Sequence, residues 1–259
     1  GGEHRCSIGT AGSATLVLQT VLPALIRADA PSRLTLEGGT HNPLAPTYDF
    51  LAHAFLPLLG RMGVRVSARL DRYGFYPAGG GRIVIEIEPK RALGRLDLIE
   101  RGAIRACTAT ALFSSLPFDV ARRELEAIRA RLDWPETSLR PLEVKDAAGP
   151  GNVLTLVVES EHVTEVFTGF GEKGVRAEVV AERAAAECAR YLDAGVPVGE
   201  HLADQLLLPM ALAGGGSFRT LAPTEHTRTQ ARMITRFLDV AIELRPESER
   251  IFRVEVKAA

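Results

Sequence analysis

Apolar positions along the chain recur with two different periods, and the changes of period predict where helices and strands lie. Between residues 12 and 29 five apolar side chains recur at helical intervals: Leu16, Val17, Val21, Leu25 and Ile26. This spacing predicts a helix with one apolar stripe. Residues 33–37 alternate as a strand does, residues 47–62 have helical spacing, and residues 64–70 and 82–88 read as two further strands. The predicted order is helix, strand, helix, strand, strand.

The C-terminal part of the chain has the same order of predicted elements. Helical spacing covers residues 201–212 and 225–238, and strands are predicted at residues 217–221, 240–244 and 250–256. Thr224 is placed to cap the last helix, whose predicted buried face consists of Ala231, Ile234, Phe237 and Leu238. We interpret the two parts as copies of one unit.

A segment of different character separates the two units. It contains an amphipathic helix at residues 118–132, a strongly apolar strand at 153–160 and an alanine-rich helix at about 174–192. The chain is therefore predicted to be α/β (α+β in its segregation of strands and helices), with residues 1–98 and 196–259 forming a large domain. Residues 99–195 are predicted to form a small inserted α/β domain.

Composition and charge exclude several classes of protein. The 259 residues are 46% hydrophobic and 24% charged, which is typical of a globular chain and not of a disordered one. No apolar run is long enough to span a bilayer and no signal peptide is evident, so we expect no membrane partner and a cytoplasmic location. The formal net charge of −1 argues against a broad basic surface for nucleic acid, but it allows an enzyme that holds one end of a strand. Three scattered cysteines without a CxxC pair argue against a disulfide framework or a structural zinc site.

Candidate chemistry is concentrated between residues 201 and 230. On a helix that starts near His201, the side chains of His201, Asp204 and Gln205 share one side and can face one cleft, whereas Leu206, Met210 and Leu212 enter a core. Free backbone N–H groups at the start of that helix favour an anion. The same spacing also fits ordinary surface polarity on an amphipathic helix.

His226 is the second candidate, because it lies at the start of the following helix after a proline-containing loop. A neutral imidazole nitrogen is a nucleophile that can attack a phosphoryl group. A histidine at a helix start is also commonly a cap or a surface residue. Metal ligation by the two histidines and Asp204 is a further alternative, although the spacing matches no compact zinc signature.

Six motifs together resemble the RNA 3'-terminal phosphate cyclase family. They are IGTAGSATLVLQTVLPAL, GGTHNPLAPTYDF, RYGFYPAGGG, GEKGVRAE, HLADQLLLPMALAGGGSF and EHTRT. The resemblance runs from near residue 7 to the C-terminus. It implies a ligase-class enzyme that uses ATP and a divalent cation, Mg or Mn, to convert an RNA 3'-terminal phosphate into a 2',3'-cyclic phosphate. It also implies a covalent histidine–AMP followed by an RNA-adenylate.

The resemblance assigns roles by position. His226 matches the nucleophile that accepts AMP. The implied nucleotide contacts are Gln19, Pro46, His201, Leu202, Ala203, Asp204 and Gln205. The metal ligands and the oligomeric state are left open.

The chain also departs from the family pattern. Members have three repeats, and the expected first repeat, with its glycine-rich GEGGGQ-type motif, has no counterpart here. We therefore expect apolar surface that such a repeat would cover, and with it poor solubility or self-association. Gln230 stands where relatives usually have Asn.

Three functions are compatible with these features. The first is the ATP-dependent cyclase, which the presence of His226 favours. The second is a non-catalytic cyclase-like RNA-processing protein or an inactive fragment. The third is an enolpyruvyl transferase, which has a related repeat architecture but does not suit the HLADQ and EHTRT pair.

Overall fold

A computed structural model describes residues 1–259, and its elements divide among three four-stranded sheets with helices packed on them. The helices are α1 (Ala14–Ile26), a π-helix (Phe50–Phe55) that continues into α2 (Leu56–Arg61), α3 (Phe118–Leu132), α4 (Ala177–Ala194), α5 (Glu200–Leu212) and α6 (Glu225–Phe237). The strands are β1 (Gly2–Ser7), β2 (Ser32–Gly38), β3 (Arg65–Arg72), β4 (Gly81–Glu88), β5 (Leu96–Leu98), β6 (Ile104–Ser114), β7 (Leu139–Glu143), β8 (Gly151–Ser160), β9 (Thr164–Phe170), β10 (Gly215–Leu221), β11 (Val240–Pro246) and β12 (Ile251–Ala258). The mixed α/β class predicted from the sequence is confirmed.

The two terminal units have the same topology. The first sheet has the order β1-β2-β4-β3 and the second has the order β11-β12-β10-β5. In each unit the last strand lies between the other two and pairs antiparallel with both. A short parallel strand extends each sheet, with β1 beside β2 and β5 beside β10. The repeat inferred from the order of elements is therefore also a repeat of strand pairing.

The terminal units share one hydrophobic core. Its 35 buried residues come mainly from α1, the π-helix, α2, α5 and α6 and from strands of both sheets, β5 included, together with Val163 and Val166 from the β9 region. The segment between the units has its own sheet, in the order β7-β6-β8-β9, covered by α3 and α4 over an 18-residue cluster. We call this segment, from β6 to α4, the inserted segment. The domain boundaries proposed at residues 98/99 and 195/196 stay a prediction.

The apolar stripe predicted for α1 coincides only in part with the buried face. Of the predicted positions Ile26 is buried, Val17, Val21 and Leu25 are partly buried against the core, and Leu16 is exposed. The structure also buries Ala14, Thr15, Leu18 and Leu22, which lie outside the predicted stripe. Apolar residues surround almost the whole of this helix, so periodicity alone did not determine which side packs. Phe237 is a second correction, because its position at the last residue of α6 leaves the ring 79% exposed.

The second helix of the first unit is not uniform. Its predicted apolar positions are all buried, but residues Phe50–Phe55 form a π-helix before α2 begins. Pro57 lies at the start of α2 and lacks the N–H that would bond to the carbonyl of His53 in a regular α-helix. A wider turn at this position is the expected accommodation.

Exposed apolar side chains are present at several places on the surface. They include Leu16 on α1, Leu44 in the loop after β2, and Met233 and Phe237 on α6. The expected self-association stays a prediction. Separately, none of the helices combines the length and apolar character needed to cross a membrane.

Candidate active site

A cavity of about 700 Å³ lies where α1, α5 and the start of α6 meet the inserted segment. Six of the residues predicted to bind nucleotide or react with it line this cavity: Gln19, Pro46, His201, Asp204, Gln205 and His226. Residues more than 200 positions apart in sequence are therefore brought to one surface. A cavity of this size matches those that hold a drug-sized or nucleotide-sized ligand.

Leu202 and Ala203 do not line the cavity. Both side chains are buried and belong to the core shared by the terminal units. Their place on the opposite side of α5 follows from the helical period, since residues 201, 204 and 205 occupy the cavity side. Any contact they make with a ligand would have to come from the backbone.

The inserted segment forms one wall of the cavity. This contribution was not predicted from the sequence. Val166, Thr168 and Phe170 alternate along β9 and face the cavity, and Glu187 of α4 lies beside them. The period-two spacing of the three β9 residues was a signal that could have been used. Glu187 had no such signal, because it lies on a helix rich in charged residues.

Amide side chains connect the helices that meet at the cavity. Gln19 of α1 donates a hydrogen bond to the side-chain oxygen of Gln205, and Gln205 in turn donates to Asp204 Oδ1 at 3.4 Å. Gln230 Nε2 donates to the backbone carbonyl oxygen of Asp204 at 3.1 Å. Thus Gln230 links α6 to α5 one turn beyond His226.

His226 lies in the first turn of α6 with an exposed side chain on the cavity surface. The N-cap predicted for this helix is confirmed, because the Thr224 hydroxyl accepts a hydrogen bond from the N–H of Thr227 at 3.2 Å. The cap fixes the first turn and so fixes the backbone from which His226 projects. No other side chain donates to or accepts from the imidazole, which leaves its nitrogens accessible to a ligand.

The ionisable side chains that line the cavity are three carboxylic acids and two histidines: Glu187, Glu200, Asp204, His201 and His226. Burial raises the pKa of Asp204, although Gln205 and the nearby His201 and His226 favour its ionised form. The Glu187 carboxylate, 3.2 Å from His201 Nε2, raises the pKa of His201 to about 9. At neutral pH His201 is therefore an imidazolium at the N-terminal end of α5, a position that attracts anions.

We expect the titration of His201 to depend on Glu187. In the wild type its imidazole should titrate near pH 9, and in Glu187→Gln the midpoint should move down towards the ordinary value of 6.5. The folded pKa is raised, so the small stability gained from the pair is full below about pH 6.5 and lost as the pH rises through about 9. The His201 side chain is 71% exposed, so solvent screens this gain.

Two-dimensional NMR of the imidazole protons, from pH 5 to 10, measures the midpoint. Glu182→Gln is the matched control, because Glu182 is an exposed carboxylate on the same helix. A His201 midpoint that is equal in Glu187→Gln and the wild type would contradict the assignment.

The cavity side chains fit a nucleoside triphosphate. Leu16, Phe50, Pro46, Val166 and Phe170 supply apolar surface for a base, while His201, the two glutamines and the start of α5 supply cationic and N–H groups for phosphates. No group of three or more His, Cys, Asp or Glu side chains is arranged to hold a metal ion. A divalent cation would have to be held mainly by phosphate oxygens, with Asp204 as a candidate carboxylate ligand.

Comparison with known proteins is consistent with this geometry. Residues 1–244 match the family model described as RNA 3'-terminal phosphate cyclase. A relative of that name from Pseudomonas fluorescens is 54% identical over 258 residues, which cover 100% of this chain and 75% of the relative. The corresponding protein from Koribacter versatilis is 51% identical over 246 residues, covering 95% and 69% of the two chains. The one from Salmonella typhimurium is 47% identical over 240 residues, covering 93% and 70%.

Proposed function

Because this chain belongs to the RNA 3'-terminal phosphate cyclase family, we propose that the cavity between α1, α5, α6 and the inserted segment is where ATP drives closure of an RNA 3'-phosphate to a 2',3'-cyclic phosphate. The observation that carries the proposal is the convergence of His226, His201, Asp204, Gln205 and Gln19 on one cavity. An exposed imidazole beside groups suited to phosphate is what nucleophilic attack on a nucleotide requires.

In the first proposed step an imidazole nitrogen of His226 attacks the α-phosphorus of ATP. A P–N bond forms, the bond to the β-phosphate oxygen breaks, and pyrophosphate leaves. The imidazole nitrogen must be unprotonated to attack, and the neighbouring carboxylate of Asp204 then stabilises the cationic adduct. The imidazolium of His201 and the N–H donors of Gln19 and Gln205 offset the charge that develops on the phosphates.

In the later steps the RNA takes over the AMP. An oxygen of the RNA 3'-phosphate attacks the phosphorus held on His226, and the imidazole leaves. The adjacent 2'-hydroxyl then attacks the 3'-phosphorus, loses its proton and expels AMP. A divalent cation, Mg or Mn, would neutralise phosphate charge, and Asp204 is one of the cavity carboxylates that could bind it.

The proposal is tested with a short RNA that ends in a 3'-phosphate, incubated with the protein, ATP and Mg or Mn. We expect the terminal phosphate to become resistant to phosphatase, and the same RNA with a 2'-deoxy terminal sugar to stay sensitive. An RNA with a 3'-hydroxyl controls for degradation. If the 3'-phosphate stays sensitive to phosphatase under all these conditions, the chain is not an active cyclase, and the non-catalytic cyclase-like function becomes the better account.

A further inference from the structure

The helix that carries most of the cavity side chains begins without a cap of its own. The residue at the N-cap of α5 is Gly199, which has no side chain to bond to the free N–H groups of the first turn. In a capping box the third helical residue reaches back to the N-cap N–H. Here that residue is Leu202, which is fully buried in the core. The N–H of Gly199 therefore needs an acceptor from elsewhere in the chain.

That acceptor is supplied by the inserted segment. Glu165 of β9 is 2% exposed, and its Oε1 accepts a hydrogen bond from the N–H of Gly199 at 2.5 Å. A Cβ at position 199 would lie 3.0 Å from the same oxygen, closer than nearly all real contacts. Glycine at the N-cap is thus what allows the carboxyl group to approach.

Glu165 also lies between the two walls of the cavity. The next residues on its strand, Val166 and Thr168, line the cavity from the inserted segment. On the other side of the hydrogen bond, α5 carries His201 and Asp204 into the same cavity. Moving the Gly199 end of α5 would shift these groups relative to β9.

We infer that Glu165 is a positioning residue for the proposed nucleotide site: its carboxyl group caps α5 across the junction and sets where His201, Asp204 and Gln205 lie. Glu165 itself does not line the cavity, so it acts through the helix. The role rests on the proposed function only in so far as the positioned groups bind ATP.

The surroundings of Glu165 make its protonation state part of the role. Glu187, Cys188 and Tyr191 face it from α4 and His201 faces it from α5, while the π-helix packed on β9 carries an exposed His53. Burial raises the pKa of Glu165 to about 8, against the opposing effects of the Gly199 amide and His201. Below this pH the cap is a neutral acid, and above it the cap is a carboxylate, which helix N-termini favour.

The free energy of unfolding should change with pH in the opposite direction to the strength of the Glu165–Gly199 hydrogen bond. Because the folded pKa lies above the ordinary value of 4.5, the protonated form is the one that folding favours. This contribution to stability is full below about pH 4.5 and is lost as the pH rises through about 8. At pH 9 we therefore expect a lower free energy of unfolding but a stronger hydrogen bond between Glu165 and the Gly199 amide. This combination distinguishes the positioning role from a purely structural one.

Glu124 provides a matched control within the same chain. It is fully buried, burial raises its pKa to about 7, and it accepts a hydrogen bond from Asn152 Nδ2 at 2.9 Å. It does not line the cavity and bonds to no residue of α5. Glu124→Gln therefore tests burial of a carboxyl group without the cap.

The test compares Glu165→Ala, Glu165→Gln and Glu124→Gln with the wild type. Two quantities are measured between pH 6.5 and 9: KM for ATP against kcat in the cyclisation assay, and hydrogen exchange of the Gly199 amide. For Glu165→Ala we expect KM for ATP to rise about fivefold with faster exchange at Gly199, as loss of a cap implies. Glu165→Gln should keep the bond, so at pH 6.5 it should exchange as slowly at Gly199 as the wild type and keep the wild-type KM for ATP.

Several outcomes would overturn the inference. They are unchanged exchange at Gly199 in Glu165→Ala, a rise in KM in Glu124→Gln as large as that in Glu165→Ala, or a rise in KM in Glu165→Gln at pH 6.5 as large as that in Glu165→Ala. If Glu165→Ala does not fold, Gly199→Ala replaces it, and we expect the same faster exchange and higher KM. If the wild type itself lacks cyclase activity, the proposed function fails, and Gly199 exchange alone decides the role of Glu165.

Discussion

Replacing His226 with alanine is expected to abolish transfer of label from ATP labelled at the α-phosphate to the protein, and to reduce cyclisation about a thousandfold or more. The reason is that no second side chain in the cavity is placed to replace it: the other cavity histidine, His201, is held as an imidazolium by Glu187 and lacks a free nitrogen lone pair at neutral pH. His226 is exposed, so the substitution leaves no buried void, and the fold should be retained.

The measurement is a denaturing gel of protein incubated with α-labelled ATP and Mg or Mn. Label on the wild type should be removed by acid and survive alkali, as a phosphoramidate does, and ATP labelled at the γ-phosphate should leave no label. His53→Ala is the control, because His53 is also an exposed histidine but does not line the cavity. Persistent label on His226→Ala would remove this residue from its proposed role.

Removing the carboxylate of Asp49 is expected to lower the free energy of unfolding by about 3 kcal/mol. His41 is fully buried, and its Nε2 lies 2.6 Å from Asp49 Oδ2 while its Nδ1 lies 2.8 Å from the hydroxyl of Thr40. The rings of Tyr73 and Phe75 pack against the imidazole at 5.1 and 5.9 Å between centroids. Without Asp49, a buried N–H would lose its acceptor in a place that water cannot easily reach.

Urea denaturation of Asp49→Ala measures this effect. Glu88→Ala is the control, since it breaks the Arg65–Glu88 pair, whose side chains are 82% and 60% exposed. That change should stay within about 0.5 kcal/mol. Equal losses in the two variants would mean that the His41–Asp49 contact is no more important than a surface ion pair.

The His41–Asp49 pair also predicts that the free energy of unfolding falls at acid pH. Burial raises the pKa of Asp49, but the hydrogen bond from His41 and the electrostatic effects of His41 and His53 together more than offset this, so the net pKa lies below the ordinary 3.8. The stabilisation is therefore present above about pH 3.8 and is lost as the pH falls through the lower folded value. Asp49→Asn should remove this part of the acid sensitivity. Since residues 44–47 between the partners form part of the cavity wall, we also expect a higher KM for ATP.

Much of the fold could be predicted because its elements have clear periods. The helix predicted at residues 118–132 coincides with α3, where polar and apolar positions separate cleanly. The face of α1 could not be chosen, since its apolar residues occupy nearly every side. β1 has six exposed residues and β5 only three residues, so neither had an alternating pattern to detect.

In the candidate site, too, some residues could be predicted from the sequence and others could not. The helical period placed His201, Asp204 and Gln205 together, whereas the family motif grouped Leu202 and Ala203 with them, and the structure buries these two in the core. The structure follows the period. The contributions of Phe170, Glu187 and Glu165 depend on how the inserted segment packs against α5, and such a long-range arrangement leaves no local pattern in sequence.

The shared core also constrains the order in which the protein can fold during synthesis. The 35 residues of that core lie on both sides of the inserted segment, whereas all but Leu221 of the 18-residue cluster lie between Ala109 and Val196. Ribosomes add about 5–20 residues per second, so the first unit waits several seconds before α5 emerges to cover it. The inserted segment can fold in that interval, while the side of the π-helix that later packs against α5 stays uncovered.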